Sequence, residues 1–161
     1  MQKKDVLLMK VLILSDSHHS DILTEILKKE SSCDAFLHLG DGGSDMLNTN
    51  TYTAGKPVYT IKGNCDSEVY GFPLRLISYI GDTKFYACHG HTHNVKQTLT
   101  ALYYAAKEYE CAVAFFGHTH IACKEEYDGI TLFNPGSARN GCYGILETTA
   151  RGFTLEHRRL N

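Results

Sequence analysis

Short apolar runs and one-sided amphipathic stretches alternate through the first half of the chain, and strand-like runs separated by turn residues dominate the second. Lys10 to Leu14 (KVLIL) reads as a central strand buried on both faces. A polar turn, Asp16 to His19, follows it. Ser20 then caps a predicted helix from Asp21 to about Glu30, in which Ile22, Leu23, Ile26 and Leu27 share one face and lysines close the last turn. Ala35 to Leu39 is a second buried strand, and after a loop or short helix Val58 to Ile61 is a third. Arg75 to Ile80 and Thr83 to Cys88 form a hairpin turning at Gly81-Asp82. Thr98 to Glu110 is helical, with Leu99, Leu102, Ala105, Ala106 and Tyr109 at inward spacing. Cys111 to Phe116 is another buried strand. Ile121 to Tyr127 and Ile130 to Phe133 flank an Asp128-Gly129 turn, and Tyr143 to Thr148 and Phe153 to Arg158 complete the series. Early βα units followed by hairpins predict an α/β fold of two packed sheets flanked by helices.

The strands end in metal-capable residues. In order the ends read Asp16-x-His18, Gly40-Asp41, Gly63-Asn64, His89 and Gly117-His118-Thr119-His120, and such ends gather on one rim of an α/β sheet. Carboxylate, amide and imidazole donors without a thiolate suit manganese, iron, nickel, cobalt or zinc rather than calcium or a structural zinc knot. In an extended segment residues i and i+2 face the same side, which gives D-x-H and H-x-H a physical meaning. Glycines before Asp41, Asn64 and His118 allow tight turns and close backbone approach. Each element alone has a plainer reading. G-D and G-N are usually turns, D-x-H is commonplace, and H-x-H is usually two surface histidines. Their joint occurrence, each after an apolar strand, is what carries the inference.

Composition narrows the setting. A chain of 161 residues, 43% hydrophobic and 21% charged, is long enough for one domain with its own core, here taken as 1–161. The net charge of −2 gives no broad attraction to nucleic acid or to an anionic membrane, and His157, Arg158 and Arg159 read as a solvated strand end. Six scattered cysteines without a CxxC pair fit reduced, buried thiols. Lys3, Lys4 and Val6 to Leu14 faintly resemble a signal peptide, but Asp5 and Lys10 interrupt the run and no small-residue cleavage site follows. A cytoplasmic location is therefore expected. Met9 is an alternative start, which would make residues 1–8 an appendage.

The ordered set D-x-H, G-D, G-N, H and G-H-x-H resembles the calcineurin-like metallophosphoesterase superfamily. With Gly63-Asn64-Cys65-Asp66-Ser67 and Asn134-Pro135-Gly136-Ser137, the chain looks like the small bacterial and archaeal YfcE-type phosphodiesterases, from Lys10 to about Thr148. The resemblance implies a four-layer αββα sandwich of two mixed sheets. It implies a first metal held by Asp16, His18 and His120, a second held by Asn64, His89 and His118, and Asp41 bridging them. It implies two divalent transition-metal ions, with manganese first in line ahead of nickel, iron, cobalt or zinc. Many members carry a histidine after the G-N asparagine; this chain has Cys65, read as packing. His91 or His19 is then the substitute general acid, or solvent suffices for a good leaving group; His91 is also a candidate substrate contact beside Asn64 and Arg139. Spacing alone permits His89, His91 or His93 as the ligand; His89 ends the apolar strand. His38, inside a strand, is a satisfied core histidine, and Asn134 to Ser137 form a turn under the site.

Charge suggests the mechanism: two dications lower the pKa of a bridging water and offset charge on a phosphate, so that hydroxide attacks phosphorus in line. No obvious basic cluster exists to grip a doubly charged monoester, which favours a small phosphodiester over a monoester. The competing readings are a phosphomonoesterase, a metal store or sensor, and a non-catalytic scaffold like the retromer subunit of this fold. Tyr103, Tyr104 and Tyr109 could serve a homo-oligomer face.

Overall fold

The computed structural model describes residues 7–161; the first six, with the lysines of the signal-like start and most of the 1–8 segment, lie outside the described residues. Ten strands and three short helices follow in order: β1 (Lys10–Leu14), α1 (Ile22–Lys29), β2 (Ala35–His38), α2 (Asn50–Thr53), β3 (Val58–Thr60), β4 (Arg75–Ile80), β5 (Thr83–Cys88), α3 (Thr100–Glu108), β6 (Val113–Phe115), β7 (Cys123–Tyr127), β8 (Ile130–Asn134), β9 (Cys142–Thr149) and β10 (Gly152–Arg159). They form two five-stranded sheets, ordered β10-β9-β1-β2-β3 and β4-β5-β6-β8-β7. Both are mixed: β1-β2-β3 and β5-β6-β8 pair in parallel, and hairpin partners add antiparallel strands at the sides.

Strand alternation sorts the core into layers. Val11 and Ile13 of β1 face the second sheet and pack with Phe85, Phe115 and Phe133. Leu12 and Leu14 face the other way, onto Leu23, Ile26 and Leu27 of α1. Leu102 and Ala106 of α3 cover the far side of the second sheet against Tyr86, Ala114 and Leu132. The order helix, sheet, sheet, helix is the αββα sandwich expected. Burying each large apolar side chain contributes about 1.5–3 kcal/mol, so helices this short are held by the sheets rather than by their own propensity.

Some expectations shift in detail. Asp21, not Ser20, is the α1 N-cap, although Ser20 Oγ accepts the Ile22 amide at 3.3 Å. Ile22 points outward at 38% exposure, because the sheet can cover only the stripe of Leu23, Ile26 and Leu27. Strand β3 was expected to be buried. It is the last strand of its sheet, and Val58 and Tyr59 are exposed. The C-terminal basic stretch is not merely solvated: Arg158 bonds the buried Glu30 at 3.2 Å, and His157 stacks on Phe133 and donates to the Asn134 carbonyl at 2.8 Å. Of the three tyrosines, Tyr104 is exposed, Tyr103 donates to Asp128 at 2.5 Å, and Tyr109 stacks on Tyr86. All six cysteines are free, and among the described residues no helix is long and apolar enough to cross a membrane.

Candidate metal centre

Parallel strands deliver their C-terminal ends to one rim. Loops after β1, β2 and β3 carry Asp16 and His18, Asp41, and Asn64; those after β5 and β6 carry His89, and His118 and His120. Three donor groups form there: Asp16 with His18 and His120; Asp41 with His89 and His118; and His18 with Asp41 and Cys65, the donor atoms within each lying within 4.8 Å of one another. Asp41 Oδ2 lies 3.3 Å from His89 Nε2 and 4.0 Å from His18 Nε2, so it touches both halves. Asp16 Oδ1 lies 3.2 Å from His120 Nε2 and 3.8 Å from His89 Nε2. The His18 and His120 Nε2 atoms face each other at 3.2 Å.

The local backbone is strained in a specific way. Asp16, His18, Asp41, His118 and His120 have φ of 54°, 44°, 55°, 69° and 61°. Side chains rarely adopt this left-handed region, at a cost of about 1 kcal/mol or more each. The D-x-H and H-x-H pairs are therefore not extended segments aiming two side chains the same way. Left-handed turns do the aiming, and they send His118 and His120 to different groups. The preceding glycines act through contact: a Cβ on Gly63 would stand 2.1 Å from Asp41 Oδ1, and one on Gly117 1.9 Å from Ser15 Oγ. The loops interlock closely enough that only hydrogen fits.

Hydrogen bonds lock this arrangement. Asp16 Oδ2 accepts from Ser15 Oγ at 2.6 Å and from the His118 amide at 3.1 Å; Asp41 Oδ1 accepts the Cys65 amide at 2.8 Å. The Asp66 carboxylate accepts four backbone amides, of Asp41, Gly42, Gly43 and Gly63, at 2.8–3.1 Å, tying the second loop to the third. His89 Nδ1 donates to the Leu39 carbonyl at 2.8 Å, which leaves the Nε2 lone pair facing the carboxylates. The turn expected beneath the site is present: Asn134 Nδ2 donates to the Gly117 carbonyl and Thr119 Oγ1, and Ser137 Oγ donates to the Asp16 carbonyl at 2.8 Å.

Two carboxylates close together set the electrostatics. Burial pushes the Asp41 carboxyl up, but the neighbouring His89 imidazole and the hydrogen bond from the Cys65 amide outweigh it and hold the group well below the usual range. Burial pushes His89 down, yet Asp41 and Asp16 raise it overall. His118 and His91 are lowered, first by burial and then by the neighbouring His89. Burial likewise pushes Asp66 up, but its four backbone amides lower it overall.

The fit to a cation rests on atoms left without partners. In this densely bonded site Asp16 Oδ1 and His89 Nε2 are buried and in no hydrogen bond. Leaving such atoms dry costs about 1–3 kcal/mol each. A cation between them satisfies both, and paired oxygen and nitrogen donors suit a divalent transition metal.

The remaining candidates are placed unevenly. Asn64 is exposed on the same turn, and its side-chain amide meets the third donor group at Cys65 Sγ, 3.4 Å away. His91 stands 5.5 Å ring to ring from His89 and 6.2 Å from His118, its Nδ1 buried and without a hydrogen bond. His19 is tied to Asp45 at 2.5 Å. The Arg139 side chain is exposed, and only its amide meets the site, at the Asp16 carbonyl. Cys65 was read as packing; it is exposed, and its sulfur belongs to a donor group. His38 is a satisfied core histidine, with Ser17 Oγ at 2.9 Å and the Gly40 amide at 3.1 Å, and burial pushes it down to about 4. Sequence reasoning missed the supporting roles of Ser15, Ser17 and Asp45. It quoted Asp66 without a role; the acid two residues past Asn64, where a turn needs its amides capped, was the available signal.

Comparison with known proteins agrees with this geometry. The pattern of the calcineurin-like phosphoesterase superfamily domain matches residues 9–151. A probable metallophosphoesterase of Bacillus subtilis, YsnB, is 40% identical over 133 residues, 81% of this chain and 76% of the relative. Phosphodiesterase MJ0936 of Methanocaldococcus jannaschii is 30% identical over 156 residues, 86% and 87% of the two chains. The crystal structure of a predicted phosphoesterase from Streptococcus pneumoniae superposes with a TM-score of 0.78 at 28% identity, covering 95% of this chain and 90% of that one. Strand-end loops that bring carboxylates and imidazoles together around unpartnered atoms, on this sandwich and with these relatives, place the chain in the calcineurin-like phosphoesterase superfamily, a metallophosphoesterase family that implies divalent metal ions.

Proposed function

We propose that the chain is a one-domain cytoplasmic phosphodiesterase that works with two divalent transition-metal ions, manganese being the first to test. The observation that carries the reading is the convergence of the unpartnered Asp16 Oδ1 and His89 Nε2 on a carboxylate, Asp41, that reaches both halves of the centre. Asp16, His18 and His120 would hold one ion, Asn64, His89 and His118 the other, and Asp41 both. Bound there, the ions supply Lewis acidity toward phosphoryl oxygens and a water acidic enough to give hydroxide near neutral pH. The chain's own residues do the rest. Leu39 fixes the His89 tautomer, and Asp66 and Asn134 hold the loops in register; His91, Asn64 and Arg139 would be the substrate contacts.

The relative named as a phosphodiesterase supports diesters over monoesters. Turnover of bis-p-nitrophenyl phosphate and of p-nitrophenyl phosphate with added manganese tests the reading. The diester is expected to be preferred, a chelator to abolish the activity, and Asp41→Asn to cut it on the order of a thousandfold with loss of metal. A monoester preference would replace the diesterase with a phosphomonoesterase. Two bound metals with no turnover would favour a store or scaffold.

A further inference from the structure

An apolar groove adjoins the centre. Ile121, the residue after His120, is 69% exposed. A lone exposed isoleucine needs no explanation, but this one closes a cavity of about 500 Å³ whose other walls include Val95, Leu99 and Phe116. The cavity adjoins the centre through residues next to its donors. Thr119, between His118 and His120, lines it, and Val95 abuts Gly90 so closely that a Cβ there would lie 2.7 Å from the valine methyl. Its edge is built in advance of any ligand: Thr119 Oγ1 accepts from Asn134 Nδ2 at 3.0 Å and from the Ile121 amide at 3.2 Å. Such pre-organisation lowers the entropy cost of binding.

The charged groups at this cavity are Lys96 and Glu125. Lys96 is exposed, makes no ion pair among the described residues, and is close enough for its charge to act on His118. Glu125 lies on β7, where its carboxylate accepts from Tyr127. A cation toward the histidines suits a singly charged phosphodiester. A carboxylate at the same cavity disfavours an organic arm that brings further negative charge.

We propose that this cavity takes one uncharged, apolar arm of the diester, a ring or branched alkyl group attached through oxygen to phosphorus, with Lys96 pairing with the phosphoryl charge. The assignment rests on the phosphodiesterase reading of the centre and adds its substrate class: diesters with a compact apolar alcohol.

Calorimetric titration of the metal-loaded full chain with dimethyl phosphate and with diphenyl phosphate separates the two readings, because neither probe needs to be turned over. Diphenyl phosphate is expected to bind about tenfold more tightly, the gain from burying part of one ring. Ile121→Ser is expected to reduce the ratio to about twofold, and the side chain is exposed enough for the exchange to spare the fold. Lys96→Gln is expected to weaken both anions alike, by about threefold. Equal affinities in the parent, or a ratio that Ile121→Ser leaves unmoved at equal metal content, overturn the pocket. Bis-p-nitrophenyl phosphate assayed on the same samples reports on catalysis. Turnover with equal affinities sinks the pocket alone, whereas a preserved tenfold preference without turnover sinks the diesterase and keeps the pocket as a binding site.

Discussion

Glu30, just after α1, and Asp16, just after β1, are both buried acids, and their surroundings differ in kind. Glu30 accepts from Tyr143 Oη at 2.9 Å, Lys10 Nζ at 3.2 Å and Arg158 Nη1 at 3.2 Å, so its charge is fully answered by side chains of this chain. Asp16 has one oxygen bonded to Ser15 and the His118 amide and the other in no hydrogen bond. The first cluster is finished when the chain folds. The second is finished only by something the chain does not contain. Buried charge by itself therefore does not mark a functional site; incomplete pairing does.

The largest test of this contrast is metal removal. Chelation is expected to lower stability by about 3–4 kcal/mol for each ion present at a hundred to a thousand times its dissociation constant, a fall in Tm of roughly 10 °C, and to leave the Glu30 cluster unaffected. A scan of loaded and chelated protein measures it, and an unchanged Tm would mean that the rim needs no cation. The next effect comes from His38, which burial holds at about 4 against an ordinary 6.5. A folded histidine with a depressed pKa binds fewer protons than the unfolded chain. Stability is thus lost as pH falls from 6.5 toward about 4, by about 3 kcal/mol at the lower end. His38→Gln should flatten that limb in urea titrations of chelated protein.

The smallest effect compares the two acids directly. In chelated protein at pH 7, Glu30→Gln is expected to cost about 1–2 kcal/mol, because Arg158 and Lys10 lose their partner. Asp16→Asn should cost less than about 0.5 kcal/mol, since one of its oxygens has no hydrogen bond to lose. Burial pushes Glu30 up, but Tyr143, Lys10 and Arg158 lower its pKa below 4.5. Its contribution is therefore present above 4.5 and shrinks as acid is added. A larger loss for Asp16→Asn than for Glu30→Gln would reverse the contrast.

Much of this was legible in the residues. The hairpin at Gly81-Asp82, the layers and the set of strand ends follow from apolar periodicity and turn chemistry, which are local signals. The side chains that position the rim were not. Asp66 shares its turn with Asn64 and Asp16 follows β1, yet the Asp41, Gly42 and Gly43 amides that Asp66 accepts and the His118 amide that Asp16 accepts come from other parts of the chain, and only the folded sheets bring those groups together. The division of His118 and His120 between the two groups is the one the resemblance implied, but the spacing argument for H-x-H fails: spacing gives a direction only when φ and ψ are ordinary, and here they are not. Exposure of β3 could not be read from Val58 to Ile61, because an apolar run does not say which strand will lie at the edge.

The left-handed residues have an evolutionary consequence. At positions 16, 18, 41, 118 and 120 a glycine would sit more easily than the aspartates and histidines found there. A library selected for heat tolerance in the presence of a chelator, with no demand for turnover, should drift at His18 and His120 toward glycine or asparagine while the interior stays fixed. Sequencing the survivors would then separate what is retained for chemistry from what is retained for folding.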